Sequence, residues 1–201
     1  QVIYSRNVDL AYLNPLSFFK SVEHSQHDRD NSLMGLYTTV RPFSGLQLKG
    51  SYLLDDIRFE LINTGYWSNK SAWNIAAMYA LPYALYVGAE YSKVEPYTYS
   101  HFNVKNSVTH DTKMLGSIIL PNSDQIGLNL SWYGAGRYPL KLRLAYTRHG
   151  NNIYSGDSLV YNAGGDPLQT RREIDKYELD FLEVRDVGID LGVLVRRQLE
   201  L

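Results

Sequence analysis

Residues 46–55 read LQLKGSYLLD. Successive side chains of an extended chain point to opposite faces, so Leu46, Leu48, Tyr52 and Leu54 share one face while Gln47, Lys49 and Ser51 share the other. The pattern predicts a strand, apolar on one side and polar on the other. It recurs along the chain. Leu85, Val87, Ala89 and Tyr91 alternate with Tyr86, Gly88, Glu90 and Ser92, and Ile126, Leu128, Leu130 and Trp132 alternate with Gly127, Asn129, Ser131 and Tyr133. Leu140, Leu142, Leu144 and Tyr146 oppose Lys141, Arg143, Ala145 and Thr147. Tyr177, Leu179 and Phe181 lead into Val187, Ile189, Leu191, Val193 and Val195, set against Asp190 and Arg196.

Each run is about 8–11 residues and its apolar face commonly closes on an aromatic, the length and ending of a tilted strand that crosses a bilayer between interfacial girdles. Short turn-rich connectors, RPFSG (41–45), ALPYA (80–84) and GAGRYP (134–139), alternate with long ones at roughly 103–123 and 150–176. A third long connector, FELINTGYWSNK (59–70), has room for a helical turn. Short turns on one side and long loops on the other are the asymmetry of outer-membrane barrels. A soluble sandwich also alternates; there the leucines meet a second sheet and the charges meet water. Strand length, aromatic ends and loop asymmetry favour the barrel. The expected fold is all-β, an antiparallel transmembrane β-barrel formed by residues 1–201 as a single domain without internal repeat or linker.

Composition narrows the function classes. Twenty Lys plus Arg face 21 Asp plus Glu, a net charge of −1, so nothing draws the chain to nucleic acid. Cysteine is absent, which removes disulfides, thiolate metal sites and cysteine nucleophiles. The longest mostly apolar stretch, around 78–89, is broken by Pro82 and falls short of the roughly 20 residues of a membrane helix. The opening QVIYSRNVDLAYL lacks the regions of a signal peptide and reads as the middle of a strand, so the chain is expected to be mature or incomplete at that end. Seventeen tyrosines stand out in a mildly polar chain.

Motifs for chemistry are weak. HSQHDRD (24–30) supplies His24, His27, Asp28 and Asp30 at short spacing, but no second cluster accompanies it and a polar loop explains it; no metal is expected. Ser100 beside His101, and His110 beside Asp111, contain triad residue types without triad geometry, and no G-x-S-x-G turn exists. Asp55 and Asp56, followed by Arg58 and Glu60, could act as acid and base, yet a charged strand end accounts for them. GAGR and AGGD have no following lysine to hold a phosphate. No enzyme activity is expected. Trp67, Trp73, Tyr97, Tyr99, Trp132 and Tyr133 could stack on sugar rings, although a membrane-interface girdle or cross-strand packing accounts for any one of them.

Longer stretches carry a resemblance. LNPLSFFKSVEHS (13–25), DNSLMGLYTTVRPFSGLQLKGSYLLDDIRF (30–59), GYWSNKSAWNIAAMYA (65–80), EPYTYSHFN with VTH after it (95–110) and LPNSDQIGLNLSWY (120–133) together resemble the Wzi-type capsule-assembly proteins. That family consists of Gram-negative outer-membrane barrels of about 18 strands, within the bacterial range. Its members are longer than this chain, so the resemblance implies the C-terminal half of such a barrel, with about 9 or 10 strands. Two departures stand out. LGSIILPNSD (115–124) replaces a Gly-His-Pro-Leu-Gly step before the Pro-Asn, and RRQLEL (196–201) lacks a terminal aromatic.

The resemblance implies a bacterial outer-membrane protein that attaches or organises capsular or extracellular polysaccharide, without covalent chemistry or cofactor. Its partners would be outer-membrane lipid, the polysaccharide and other envelope proteins. The alternative is a porin or a barrel subunit of a larger secretion assembly. In YSKVEPYTYSH (91–101) a membrane strand would end in a girdle, with Pro96 stopping the ladder. Tyr97, Tyr99 and His101 would then stand at the barrel rim or lumen side and contact glycan together with Arg58 and Trp67.

Overall fold

The computed structural model describes residues 2–3, 14, 30–62, 64–111, 113–134, 139–169 and 186–195, with the side chains of 2–3 and 186–195 outside the description. The His24, His27 and Asp28 cluster, most of the 13–25 motif, the 177–181 run and the RRQLEL end lie outside the described residues.

In chain order the strands are β1 (Val2–Ile3), β2 (Asn31–Ser32), β3 (Met34–Val40), β4 (Leu46–Asp56), β5 (Lys70–Leu81), β6 (Leu85–Val94), β7 (Thr109–His110), β8 (Lys113–Met114), β9 (Ser123–Trp132), β10 (Leu140–His149), β11 (Ile153–Ser155), β12 (Ser158–Tyr161) and β13 (Asp186–Val195). The seven long ones form a single sheet in the order β13-β10-β9-β6-β5-β4-β3, every neighbour antiparallel. The pieces β1-β2, β7-β8 and β11-β12 pair among themselves. Among the described residues there is no α-helix, and no helix is long and apolar enough to cross a membrane. The 59–70 segment does hold a helical turn, a 3-10 turn at Phe59–Leu61.

The fold is therefore all-β and antiparallel, as the alternation predicts, but the sheet is open rather than a closed barrel. Closure requires the first and last strands to pair, and β3 and β13 stand at opposite ends of the strand order. The long strands number seven among the described residues, against the 9 or 10 expected; the other pairs, β1-β2, β7-β8 and β11-β12, are short.

Register sorts the residues by chemistry. Leu48, Ala77, Ala89, Leu128, Leu144 and Leu191 occupy one row across the sheet. Ser51, Asn74, Ser92, Gln125 and Thr147 occupy a row on the opposite face. The first face has no covering layer among the described residues. Ile75, Ile126 and Leu128 are 56%, 53% and 50% exposed, and Leu36, Leu48, Leu130, Leu140 and Leu144 are exposed with them.

The hydrophobic core lies on the other side of the sheet. Ala72 and Val94, with Leu53 partly buried, sit on the polar face where the strands reach the long connectors. Tyr99, Val108 and Ile119 of the 95–122 connector pack on them together with Leu33. Val40, Leu81 and Trp132, which lead into short connectors, lie at one end of the sheet, and Asp56, Val94 and His149, which lead into long ones, at the other. The longest loops thus fold inward over the polar face and leave the leucine face bare.

Candidate functional site

The long-connector end holds the polar residues that could do chemistry, in three groups. The first is a buried knot around EPYTYSH. Glu95 N–H donates to the Ser71 carbonyl at 2.9 Å, and the chain then turns with Tyr97 at φ 65° and Tyr99 at φ 70°. Two non-glycine residues in the left-handed region cost of order 1–3 kcal/mol each and persist only where surroundings over-determine them. Here they do. Tyr97 N–H donates to the Gly164 carbonyl at 2.9 Å and Tyr97 Oη to the Asn162 carbonyl at 2.6 Å. Tyr99 N–H donates to Asp55 Oδ2 at 2.7 Å, and Lys70 Nζ lies 3.5 Å from the same oxygen while donating to the Ser100 carbonyl at 3.0 Å.

Asp55 sits at a bulge in β4, where the register shifts between Leu54 and Asp56. The irregularity re-aims its carboxylate at the knot. Burial, reinforced by the Asp55 charge and by Tyr37, pushes the Tyr99 hydroxyl up to about 12. Gly164 is required for the docking: its φ is +75°, and a Cβ there would stand 2.6 Å from the Tyr97 nitrogen. AGGD (163–166) is thus a packing surface for the tyrosine turn. Asn122 ties the connectors together, donating to the Ala163 carbonyl at 3.0 Å and accepting from Gly150 N–H at 2.8 Å.

The second group lines the polar face. Arg143 on β10 reaches across β9 to Glu90 on β6 at 2.9 Å and also donates to Gln125 at 3.0 Å, which in turn donates to Thr147 at 2.7 Å. Gly127 of β9 makes the crossing possible, since a Cβ there would stand 2.6 Å from Glu90 Oε1. Above it, Ser123 Oγ and His149 Nδ1 are 2.7 Å apart. Both are buried, and they face each other across the β9–β10 ladder. They fasten two strands beneath the connectors and present no hydroxyl to solvent.

The third group is the 57–69 loop, at the same end but over the margin of the apolar face. Arg58 N–H donates to Asn69 Oδ1 at 2.7 Å, Asn69 Nδ2 donates to the Leu61 carbonyl at 2.7 Å, and Ser68 Oγ donates to Asp56 Oδ2 at 2.8 Å. The Arg58 guanidinium lies over the Tyr66 ring, 5.3 Å from its centroid, and Tyr66 packs against Trp67 at 5.5 Å. A hollow of about 470 Å³ opens beside the loop, lined by Tyr52, Leu54, Asp56, Ile57, Tyr66 and Glu95 among others.

The residues expected to meet glycan separate into two places. Arg58 is exposed and Trp67 partly so, and Tyr66, which sequence reasoning passed over, joins them. Tyr97, Tyr99 and His101 are 1%, 2% and 7% exposed and belong to the buried knot. Their rings are buried among the connectors, away from the Arg58–Tyr66 pair of the 57–69 loop. Ser100 donates its hydroxyl to the Tyr97 carbonyl, while His110 and Asp111 are exposed on the β7–β8 hairpin. The Ser123–His149 contact could have been found only through the pairing of β9 with β10. Among the described residues no three His, Asp or Glu side chains gather to hold a metal ion.

Two aromatic rows edge the apolar face. Tyr52, Trp73, Tyr91 and Tyr146 stand toward the long connectors, with Trp73 and Tyr91 at 5.2 Å. Tyr79 and Trp132 stand toward the short turns, Tyr79 edge-on to Phe43 at 6.5 Å. Just beyond the first row, Lys93, Asp124 and Arg148 follow one another in register, and Arg148 Nε donates to Asp124 at 2.9 Å. The class these features define is an open antiparallel sheet, apolar on one face and capped by loops at one end of the other. A scan of protein-family models and searches of curated proteins and of solved structures gave no match.

Proposed function

We propose that this chain is part of a bacterial outer-membrane β-barrel, its leucine face against lipid and its long connectors outward, that binds or organises capsular or extracellular polysaccharide at the cell surface without catalysis. The observation that carries the membrane reading is the side of the sheet on which the core forms. In a soluble sandwich the leucine face would be the core. Here the connectors pack on the polar face, and the leucines of the other face from β3 to β10 are exposed or half-exposed.

Three further features support the reading. Strands β4, β5, β6, β9 and β10 have 11, 12, 10, 10 and 10 residues, the length of a tilted bilayer-crossing strand. Six residues separate Trp73 from Tyr79 and Ile126 from Trp132, about 20 Å of strand. Both aromatic rows step by two residues between β5 and the strands beyond it, as strands inclined to a flat slab require. The charged row of Lys93, Asp124 and Arg148 then falls at headgroup level, outside the aromatic belt.

The polysaccharide part rests on the resemblance and on the cluster of exposed Arg58 with half-buried Tyr66 and Trp67 at the outward end. The native full-length protein tests both parts. In fractionated envelopes it should appear in the outer membrane, with a band that shifts on boiling before a detergent gel. A single unshifted band in the soluble fraction would refute the barrel. Joint replacement of Arg58 and Trp67 by Ala should lower capsule retention on cells while the shift persists; unchanged retention would remove them from the site.

The polar face, with Glu90, Arg143 and Gln125, favours a second reading, a porin or a barrel subunit of a secretion assembly. Steady ion conductance in planar bilayers would support it. The connectors folded over that face weigh against it.

A further inference from the structure

The polar face is uneven in charge. Among the described side chains of its long strands the carboxylates are Asp55 and Glu90, and each has a cation: Lys70 Nζ lies 3.5 Å from Asp55 Oδ2, and Arg143 Nη2 lies 2.9 Å from Glu90 Oε1. Arg41, Lys49 and Lys141 are three further cations, all exposed and none paired with a carboxylate among the described residues. They stand toward the end of the sheet that leads into short connectors. Register lays out the ground between them. Gln47, Met78, Gly88, Asn129 and Arg143 follow one another from β4 to β10, and Ala80, Tyr86, Ser131 and Lys141 form the next row toward the turns. Four strand spacings separate β4 from β10, roughly 19 Å. Asp190 of β13 pairs with Ala145, in the row of Glu90 and away from Lys141.

We propose that this lane binds an acidic sugar chain, with carboxylates on Arg41, Lys49 and Lys141 and a sugar ring on Tyr86. The proposal rests on the polysaccharide reading above, gives that polymer a charge and places a second contact at the other end of the sheet from Arg58. The β4 end is an open hollow of about 560 Å³ lined by Arg41, Gln47, Met78, Ala80 and Tyr86, within the roughly 300–1,000 Å³ of ligand sites. In the amide orientation that satisfies both groups, Gln47 accepts from Arg41 Nη2 at 2.8 Å and from Arg41 Nε at 3.2 Å. That contact steadies the guanidinium and leaves Nη1 to donate to an anion. Lys49 is two residues along β4 on the same face. At the far end Lys141 Nζ lies 5.9 Å from the Tyr133 centroid, and Tyr133 meets Tyr86 edge-on at 5.6 Å. Unpaired like charges attract a polyanion to such a surface. The exposed Tyr86 ring offers a flat apolar surface that a pyranose covers and a phosphate chain does not. A neutral glycan would leave all three cations unused.

The test titrates the native full-length protein in detergent micelles with tetragalacturonate, read by calorimetry. Maltotetraose serves as the neutral chain and tripolyphosphate as the anion without rings. Tetragalacturonate should bind at about 0.05 M NaCl and weaken at least about tenfold at about 0.5 M, and maltotetraose should not bind. Joint Lys49→Gln and Lys141→Gln should weaken it about tenfold, and joint Lys49→Arg and Lys141→Arg should restore it. Tyr86→Ala should weaken tetragalacturonate about fivefold and leave tripolyphosphate unchanged. Equal binding of maltotetraose would mean a neutral-glycan surface. No effect of Tyr86→Ala would mean a site for any anion, and no effect of the paired Gln variant would place the ligand elsewhere. Each of these, or no binding of tetragalacturonate, overturns the proposal. Heat-shifted mobility of the same samples reports the barrel separately, so a missing shift with binding intact faults the membrane reading and not the lane.

Discussion

Leu128→Arg separates a lipid-facing sheet from a water-facing one. Leu128 is paired with Ala89 of β6 and Leu144 of β10, and half of it is accessible. It lies between Ile126 and Trp132, near the middle of the band edged by aromatics. If lipid covers this face, an arginine near the midplane costs about 2–4 kcal/mol. Losing the contacts that the leucine makes along its buried half adds about 1 kcal/mol. The total, about 3–5 kcal/mol, is a large part of the roughly 5–15 kcal/mol that stabilises a typical domain. Asn129→Lys, one residue on and on the polar face, should change stability by about 0.5 kcal/mol or less. The assay is equilibrium unfolding of the full-length protein in phospholipid vesicles, followed by tryptophan emission. Equal midpoints for Leu128→Arg and wild type, or equal losses for the two variants, would refute the assignment of the leucine face to lipid.

The bridge over β9 predicts non-additivity: Gly127→Ala drives a Cβ to within 2.6 Å of Glu90 Oε1 and should cost about 1–2 kcal/mol. Adding it to Glu90→Ala should cost little more, and the double-mutant cycle measures the coupling. Lys70→Met leaves the Asp55 carboxylate buried without its cation, a loss of about 3–5 kcal/mol, which Asp55→Asn in the same chain should partly relieve; amide exchange at Tyr99 reads the loosening. Tyr99 titrates near 12 in the fold against 10.0 when free. Below pH 10 both states keep the proton and the stabilisation is complete, whereas between pH 10 and 12 only the unfolded state loses it. Stability therefore falls by up to roughly 3 kcal/mol over that window. Absorbance titration should show a last tyrosine ionising near 12 that Tyr99→Phe abolishes.

Much of the architecture was legible in the order of residues. The period of two is local, so LQLKGSYLLD assigns its own faces, and the structure keeps Leu46, Leu48, Tyr52 and Leu54 together. Proline and glycine at 41–45 and 80–84 mark short turns by the same local logic, and connector lengths give the asymmetry of the two ends. What alternation cannot say is which face finds a covering layer. That depended on where the 95–122 connector folded, through Tyr99 N–H to Asp55, Lys70 to the Ser100 carbonyl and Tyr97 to Gly164.

Those contacts join residues far apart in the chain, and they bury Tyr97, Tyr99 and His101, which local sequence places only at a strand end. The same distance hid Ser123 from His149, and Glu90 from Arg143, until strand pairing set them side by side. The sequence by itself determined most of the long strands and the two faces of each, because alternation is set within a few residues. Only the tertiary structure decided where the core forms, that the sheet stays open and which polar groups meet, because those depend on long-range register and loop packing.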